Sequence, residues 1–174
     1  KKEKRLAINH LQIVSDDLFD RMKANDILAF IQPIFVASDK KIIASLVGEE
    51  VAQRSYLWKT MLKKGLICCG GSDAPVERFD VLENIQVAVT RDALHEKTEG
   101  WHPQEKLSVL EALRMFTISN AYASFDEQNK GSLEIGKAAD LVLLSNDPFT
   151  TDAHSIAQIQ VLKTYVDGKE VYSA

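Results

Sequence analysis

Cysteine is scarce: the 174 residues contain two, adjacent at Cys68 and Cys69, which is too few for a disulfide framework. Neighbours on a strand point to opposite faces, so the pair neither bridges itself nor aims at one ion. Both read as small core residues, and the expected location is a reducing cytoplasm. Long apolar runs are missing too, none approaching the roughly 20 residues needed to cross a bilayer. The basic opening Lys1-Lys2-Glu3-Lys4-Arg5 resembles the start of an export signal, but Asn9, His10 and Gln12 interrupt the apolar stretch behind it. Basic charge is short as well: 21 Lys and Arg stand against 25 Asp and Glu, for a net charge of −4. That balance lacks the footprint of a nucleic-acid binder and leaves a small-molecule partner open. Internal repeats and low-complexity tracts are absent.

What is present is ordinary globular composition, 45% hydrophobic and 26% charged, in a chain long enough for one core with an appendage. The stretch with most chemical content is Gly70-Gly71-Ser72-Asp73-Ala74-Pro75-Val76-Glu77. It comes after Gly65-Leu66-Ile67-Cys68-Cys69, a short apolar run of the kind buried on both faces of a sheet. Two glycines and Pro75 break the strand there, so Asp73 falls at a carboxyl end, where parallel α/β folds carry ligands. An equal alternative is that Asp73 caps the next turn or helix.

Upstream, Arg5–His10 reads as a strand, and Ser15-Asp16-Asp17 as the cap and acidic first turn of a helix over Leu18–Lys23. Ile27–Ile31 is a second strand, stopped by Gln32-Pro33. Residues 39–64 carry helical signals, with Ile42, Ile43 and Leu46 on one apolar face and Tyr56, Leu57, Met61 and Leu62 on another. Gly65 is the C-cap candidate. The order is βαβαβ, with three parallel strand ends on one side. Helical spacing returns over Val81–Leu94, and Ser108 with Glu111 forms a capping box for a helix through Phe116. From about Asn129 the period becomes two. Gly131–Lys137 and Ala139–Leu144 read as strands, and Val161–Val166 with Glu170–Tyr172 as a hairpin on an Asp-Gly turn. The division expected is an α/β body over residues 1–128 and a small β unit over 129–174.

His10 and Asp73 both end predicted parallel strands, where an imidazole and a carboxylate could share a divalent cation, zinc best matching the mixed donors. The alternative for His10 is a structural, hydrogen-bonded strand-end histidine. Strand alternation puts Gln12 on the side of His10. Gln32 at the next strand end could orient substrate or merely close a loop. Trp101 and His102, in a glycine-containing loop, could form a lid. His95, His102 and His154 otherwise read as surface or packing residues.

In this order the segments Ile8-Asn9-His10-Leu11-Gln12, Ile31–Asp39, Gly71–Glu77, Glu111–Thr117 and Gly131–Val142 resemble the carboxyl-terminal part of the amidohydrolase superfamily, closest to its third, YtcJ-like family of metal-dependent hydrolases. The resemblance implies strands six to eight of a (β/α)8 TIM-like barrel, followed by a β-sandwich segment. It implies that His10 and Asp73 are metal ligands, that Asp73 is the general base, and that a metal-activated water attacks a carbonyl so that a carbon–nitrogen bond of a small molecule is broken. Gln12, Gln32 and Trp101 are the candidate substrate contacts. The family's His-x-His on strand one, its strand-four ligand and its strand-five histidine have no counterpart here, and Asn9 stands where relatives often carry glutamate. The expectation is therefore a carboxyl-terminal fragment of an enzyme holding one or two ions, itself inactive, or binding metal only weakly or not at all. The competing expectation is a non-catalytic α/β module that forms a homodimer or pairs with another chain through open sheet edges.

Overall fold

The computed structural model describes residues 4–174; Lys1, Lys2 and Glu3 of the basic opening lie outside the described residues. Strands β1 (Ala7–Asn9), β2 (Leu28–Ile31) and β3 (Cys68–Gly70) pair in parallel in that order. Ala7 lies opposite Leu28, and Ala29 opposite Cys68. The central strand β2 is apolar throughout and nearly sealed, whereas β1 is exposed along its length as an edge. Helix α1 (Asp16–Ala24) crosses between β1 and β2 and buries Phe19 and Met22. Its N-cap position is Ser15 as expected, but that hydroxyl makes no capping hydrogen bond.

The helical stretch between β2 and β3 is broken into α2 (Val36–Asp39), α3 (Ile43–Val47), α4 (Glu49–Ala52) and α5 (Trp58–Lys63). The apolar face expected from Ile42, Ile43 and Leu46 does not form: Ile43 is buried, but Ile42 and Leu46 are 50% and 72% exposed. Ile42 sits outside helical geometry at the start of α3, and Gly48 (φ +82°) ends it after five residues, so the helical register never lasts long enough to align the three. The second set is buried but is not one helical face: Met61 and Leu62 lie on α5, whereas Tyr56 (φ +57°) and Leu57 precede it in a left-handed corner and reach the same core from there. Gly65 (φ +77°) ends α5 in a Schellman arrangement: its N–H reaches the Leu62 carbonyl at 2.9 Å, and Leu66 N–H reaches that of Met61 at 3.0 Å.

After β3, α6 (Val81–Thr90) is capped by Asp80, whose carboxylate accepts from the Leu82 and Glu83 amides. It stops four residues short of the expected Leu94, because Arg91 turns left-handed (φ +61°) and sends its side chain inward. Helix α7 (Val109–Phe116) carries the Ser108–Glu111 capping box, and α8 (Ile118–Ala123) comes directly after it. Gly70 lets Phe116 lie against β3, since a Cβ there would meet that ring at 2.6 Å.

The expected strand over Gly131–Lys137 is a loop. Its alternating Leu133 and Ile135 face solvent, and no neighbouring strand offers a ladder, so the period-two pattern has nothing to pair with among the described residues. Strands β4 (Leu141–Leu144), β5 (Val161–Val166) and β6 (Lys169–Ser173) form an antiparallel sheet, with Asp167 (φ +51°) and Gly168 (φ +72°) making the tight turn. Among the described residues this part contributes a single antiparallel layer. Cys68 lies in the core, and the Cys69 thiol donates to the Ser119 carbonyl at 3.3 Å. Burial pushes Cys68 up to about 12 and Cys69 up to about 11, which keeps both thiols protonated and inert.

Candidate active site at the carboxyl rim of the parallel sheet

Immediately beyond β1 the chain turns sharply through His10 (φ +68°) and Leu11 (φ +36°), and Leu11 N–H closes back on the Asn9 carbonyl at 2.9 Å. Beyond β3, Gly71 N–H bonds the Ile31 carbonyl at 3.0 Å, and Asp73 (φ +58°) begins a turn closed by Val76 N–H on its backbone carbonyl at 2.8 Å. Capping of α6 falls to Asp80, which leaves the Asp73 carboxylate facing the rim. The result is that His10 Nε2 and Asp73 Oδ2 lie 4.0 Å apart, with side chains 48% and 41% exposed. Two residues 63 positions apart in the chain meet because β1 and β3 flank β2 in parallel.

The buried Gln32 stands between them in the sheet order, its Oε1 3.0 Å from His10 Nδ1. An amide oxygen only accepts, so Nδ1 is the donor in this contact, and in the neutral ring the lone pair then lies on Nε2. Phe35 stacks on the same ring at 6.2 Å and 13°. Gln32 is therefore the partner that fixes the histidine's tautomer and orientation.

Gln12 and Trp101 meet elsewhere. Strand alternation does not govern Gln12, because β1 ends at Asn9 and the left-handed turn at His10 and Leu11 reorients the chain before Gln12 is reached. Gln12 Nε2 donates to Tyr56 Oη at 2.6 Å and to Asp39 Oδ2 at 3.3 Å, and the Tyr56 hydroxyl donates to the same Asp39 oxygen. Trp101 packs edge-on against Tyr56 at 5.9 Å, and its carbonyl accepts from Arg91 Nε at 2.9 Å. The His102 ring rests on Trp101 at 3.9 Å, and His154 Nε2 lies 3.3 Å from Asp92 Oδ2. Arg91, fully buried over Trp58 and Trp101, donates to the Tyr56 carbonyl at 2.8 Å; burial lowers its pKa to about 10. Sequence reasoning missed Tyr56, Asp39 and Arg91 as a polar group. Tyr56 reads as part of an apolar face, and no local signal marks Arg91 for the interior.

An imidazole nitrogen with a free lone pair and a carboxylate oxygen suit a borderline cation such as zinc, and a hydrogen-bonding partner on the other ring nitrogen is the usual support for a ligating histidine. Ligand bonds of about 2.0–2.2 Å set tetrahedral donors about 3.3–3.6 Å apart, so the pair at 4.0 Å would draw together by about half an ångström on such an ion. The two residues fit such an ion as a partial set. Among the described residues no group of three or more His, Cys, Asp or Glu side chains converges on one point, so a four-ligand site is not complete here.

The sequence profile of the amidohydrolase family matches residues 1–172. The chain belongs to the amidohydrolase family. YtcJ of Bacillus subtilis (strain 168), assigned by name to the amidohydrolases, is 35% identical over 164 residues, covering 94% of this chain and 31% of YtcJ. The N-substituted formamide deformylase of Arthrobacter pascens is 36% identical over 110 residues, 63% of this chain and 20% of that enzyme. Among solved structures, an uncharacterised metal-dependent hydrolase of Pyrococcus furiosus superposes with a TM-score of 0.71 at 31% identity, over 83% of this chain and 29% of its own. This amidohydrolase chain thus spans about a third of the length of the relatives it matches, and its fold is of their TIM-barrel α/β type. No described helix is long and apolar enough to cross a membrane.

Proposed function

We propose that this chain supplies strands six to eight and the carboxyl-terminal sandwich segment of a metal-dependent hydrolase that cleaves a carbon–nitrogen bond in a small molecule. The observation that carries the reading is the His10–Asp73 pair, 4.0 Å apart on two strand ends, with Gln32 holding His10 in the tautomer that leaves Nε2 free. The formamide deformylase among the relatives is named for the same bond class.

His10 Nε2 and Asp73 would hold one divalent cation, zinc in this reading, together with ligands from outside this stretch. When bound, that ion supplies Lewis-acid polarisation of the carbonyl and lowers the pKa of water to about 7. Asp73 takes the proton from water as its oxygen adds to the carbonyl carbon. It then delivers that proton to the nitrogen as the carbon–nitrogen bond breaks, leaving an acid and an amine. Gln32 keeps the imidazole aligned throughout. Gln12 and Trp101 serve as substrate contacts only if the Tyr56 cluster borders the bound molecule. By itself the chain is inactive, because two ligands do not complete a catalytic zinc site.

In the full-length protein, Asp73→Asn should lower kcat by about 10²–10⁴-fold with circular dichroism unchanged. Near-normal turnover would remove the general-base assignment. A second reading, association through open edges in a cytoplasmic homodimer, is favoured by the exposed edge strand β1. Sedimentation of this chain tests it: a monomer at high concentration ends it.

A further inference from the structure

The geometry points to Tyr56 as a positioning residue for His10, acting through Gln12 and Asp39. The inference rests on the reading of His10 as a metal ligand. His10 and Leu11 both occupy the left-handed region, which non-glycine residues adopt only where their surroundings impose it. What imposes it is a short antiparallel crossing of residues 12–14 with 54–56. Tyr56 N–H bonds the Gln12 carbonyl at 2.8 Å, Ile13 bridges Ser55, and Val14 N–H reaches the Arg54 carbonyl at 3.4 Å.

The side chains repeat the clamp. Gln12 donates to Tyr56 Oη at 2.6 Å, and both Gln12 and Tyr56 donate to Asp39 Oδ2. Asp39 lies at the end of the segment that begins with Gln32 and Phe35, the two residues in contact with the His10 ring. Tyr56 therefore ties both supports of His10, the backbone corner behind it and the Gln32–Asp39 segment beside it, to one buried phenol. Burial and the Asp39 carboxylate raise the Tyr56 pKa well above the ordinary phenol range, so it stays a donor at any working pH.

Tyr56→Phe removes one hydroxyl and keeps the buried ring. Long-range ¹H–¹⁵N spectra of the His10 imidazole in the full-length protein, stripped of metal, report its tautomer, and zinc titration of the same sample reports its affinity as a ligand. The expected result is a His10 pattern of protonated Nδ1 in the parent chain and mixed tautomers in Tyr56→Phe. Zinc should bind the variant about tenfold more weakly, at the low end for residues that support a ligand from behind. Asp39→Asn, which keeps an acceptor oxygen for Tyr56, should retain most of the parent pattern. A folded Tyr56→Phe with the parent's nitrogen shifts and zinc affinity would overturn the proposal. If zinc leaves the parent's His10 signals unmoved, the ligand reading fails, and the tautomer comparison still decides the role of Tyr56. Should Tyr56→Phe unfold, Gln12→Leu cuts the same link and decides the question by the same spectra.

Discussion

The Arg91 interior and the His10–Asp73 rim use the same kinds of side chain to opposite ends. Around Arg91 the charges are sealed: Arg91 and Asp92 have no exposed surface, and Glu105 is nearly buried. Each is bound to backbone or to a neighbouring element. Glu105 accepts from the Thr60 amide at 3.0 Å and hydroxyl at 2.6 Å, capping α5 from a distant loop. Asp92 accepts from Thr98, His154 and Lys40. At the rim, by contrast, His10 and Asp73 are half exposed and only the histidine has a fixed partner. Perturbed ionisation often marks an active site. Here the strong shifts, Arg91 down to about 10 and Asp92 down to about 2, fall on side chains that join elements together. The accessible pair converging on one rim is the better candidate for chemistry.

That contrast can be broken most sharply by removing Arg91. Arg91→Ala should destabilise the chain by about 3–5 kcal/mol in urea unfolding, because buried acceptors and Glu105 lose their cation. A loss below about 1 kcal/mol would mean that the interior network is not what holds α6 to the loops around it.

A gentler probe is acid. Burial raises the Asp92 pKa, but hydrogen bonds from the Thr98 hydroxyl and amide, His154 and Lys40 outweigh it and hold the carboxyl at about 2. An unfolded aspartate titrates near about 3.9, so this stabilisation is present above that pH and disappears as pH falls from about 4 to about 2. The parent chain should lose about 2 kcal/mol more over that window than Asp92→Asn does. Parallel pH profiles for the two proteins would contradict the assignment.

The smallest effect should come from the rim itself. Asp73→Asn leaves packing untouched and should change stability by about 0.5 kcal/mol or less, in either direction. A destabilisation comparable to that of Arg91→Ala would show Asp73 to be structural and erase the distinction between the two regions.

Much of this was legible in the residues because it is local. Apolar runs closed by Gln32-Pro33 and by Gly70-Gly71 gave β2 and β3, the Ser108–Glu111 spacing gave its capping box, Asp167-Gly168 gave the hairpin, and Gly65 gave the helix stop. Where the pattern needed a distant partner it failed. Gly131–Lys137 alternates like a strand and has no strand beside it, and the Ile42–Leu46 face is cut by a glycine before it can dock. Arg91 gave no warning, since a cation near a helix end is usually solvated and only the surrounding Trp58, Trp101 and Tyr56 carbonyl make it internal.

By itself the order of residues determined the period of each element, the breaks between them and the two rim residues that end parallel strands, because hydrophobic spacing and turn chemistry act over a few positions. Only tertiary structure decided that Gln32 would hold His10, that Gln12 would turn away to Tyr56, and that Asp73 would stop 4.0 Å from the imidazole. Those outcomes depend on left-handed corners and on which strand lies between which, and both are settled by packing across the sheet rather than along the chain.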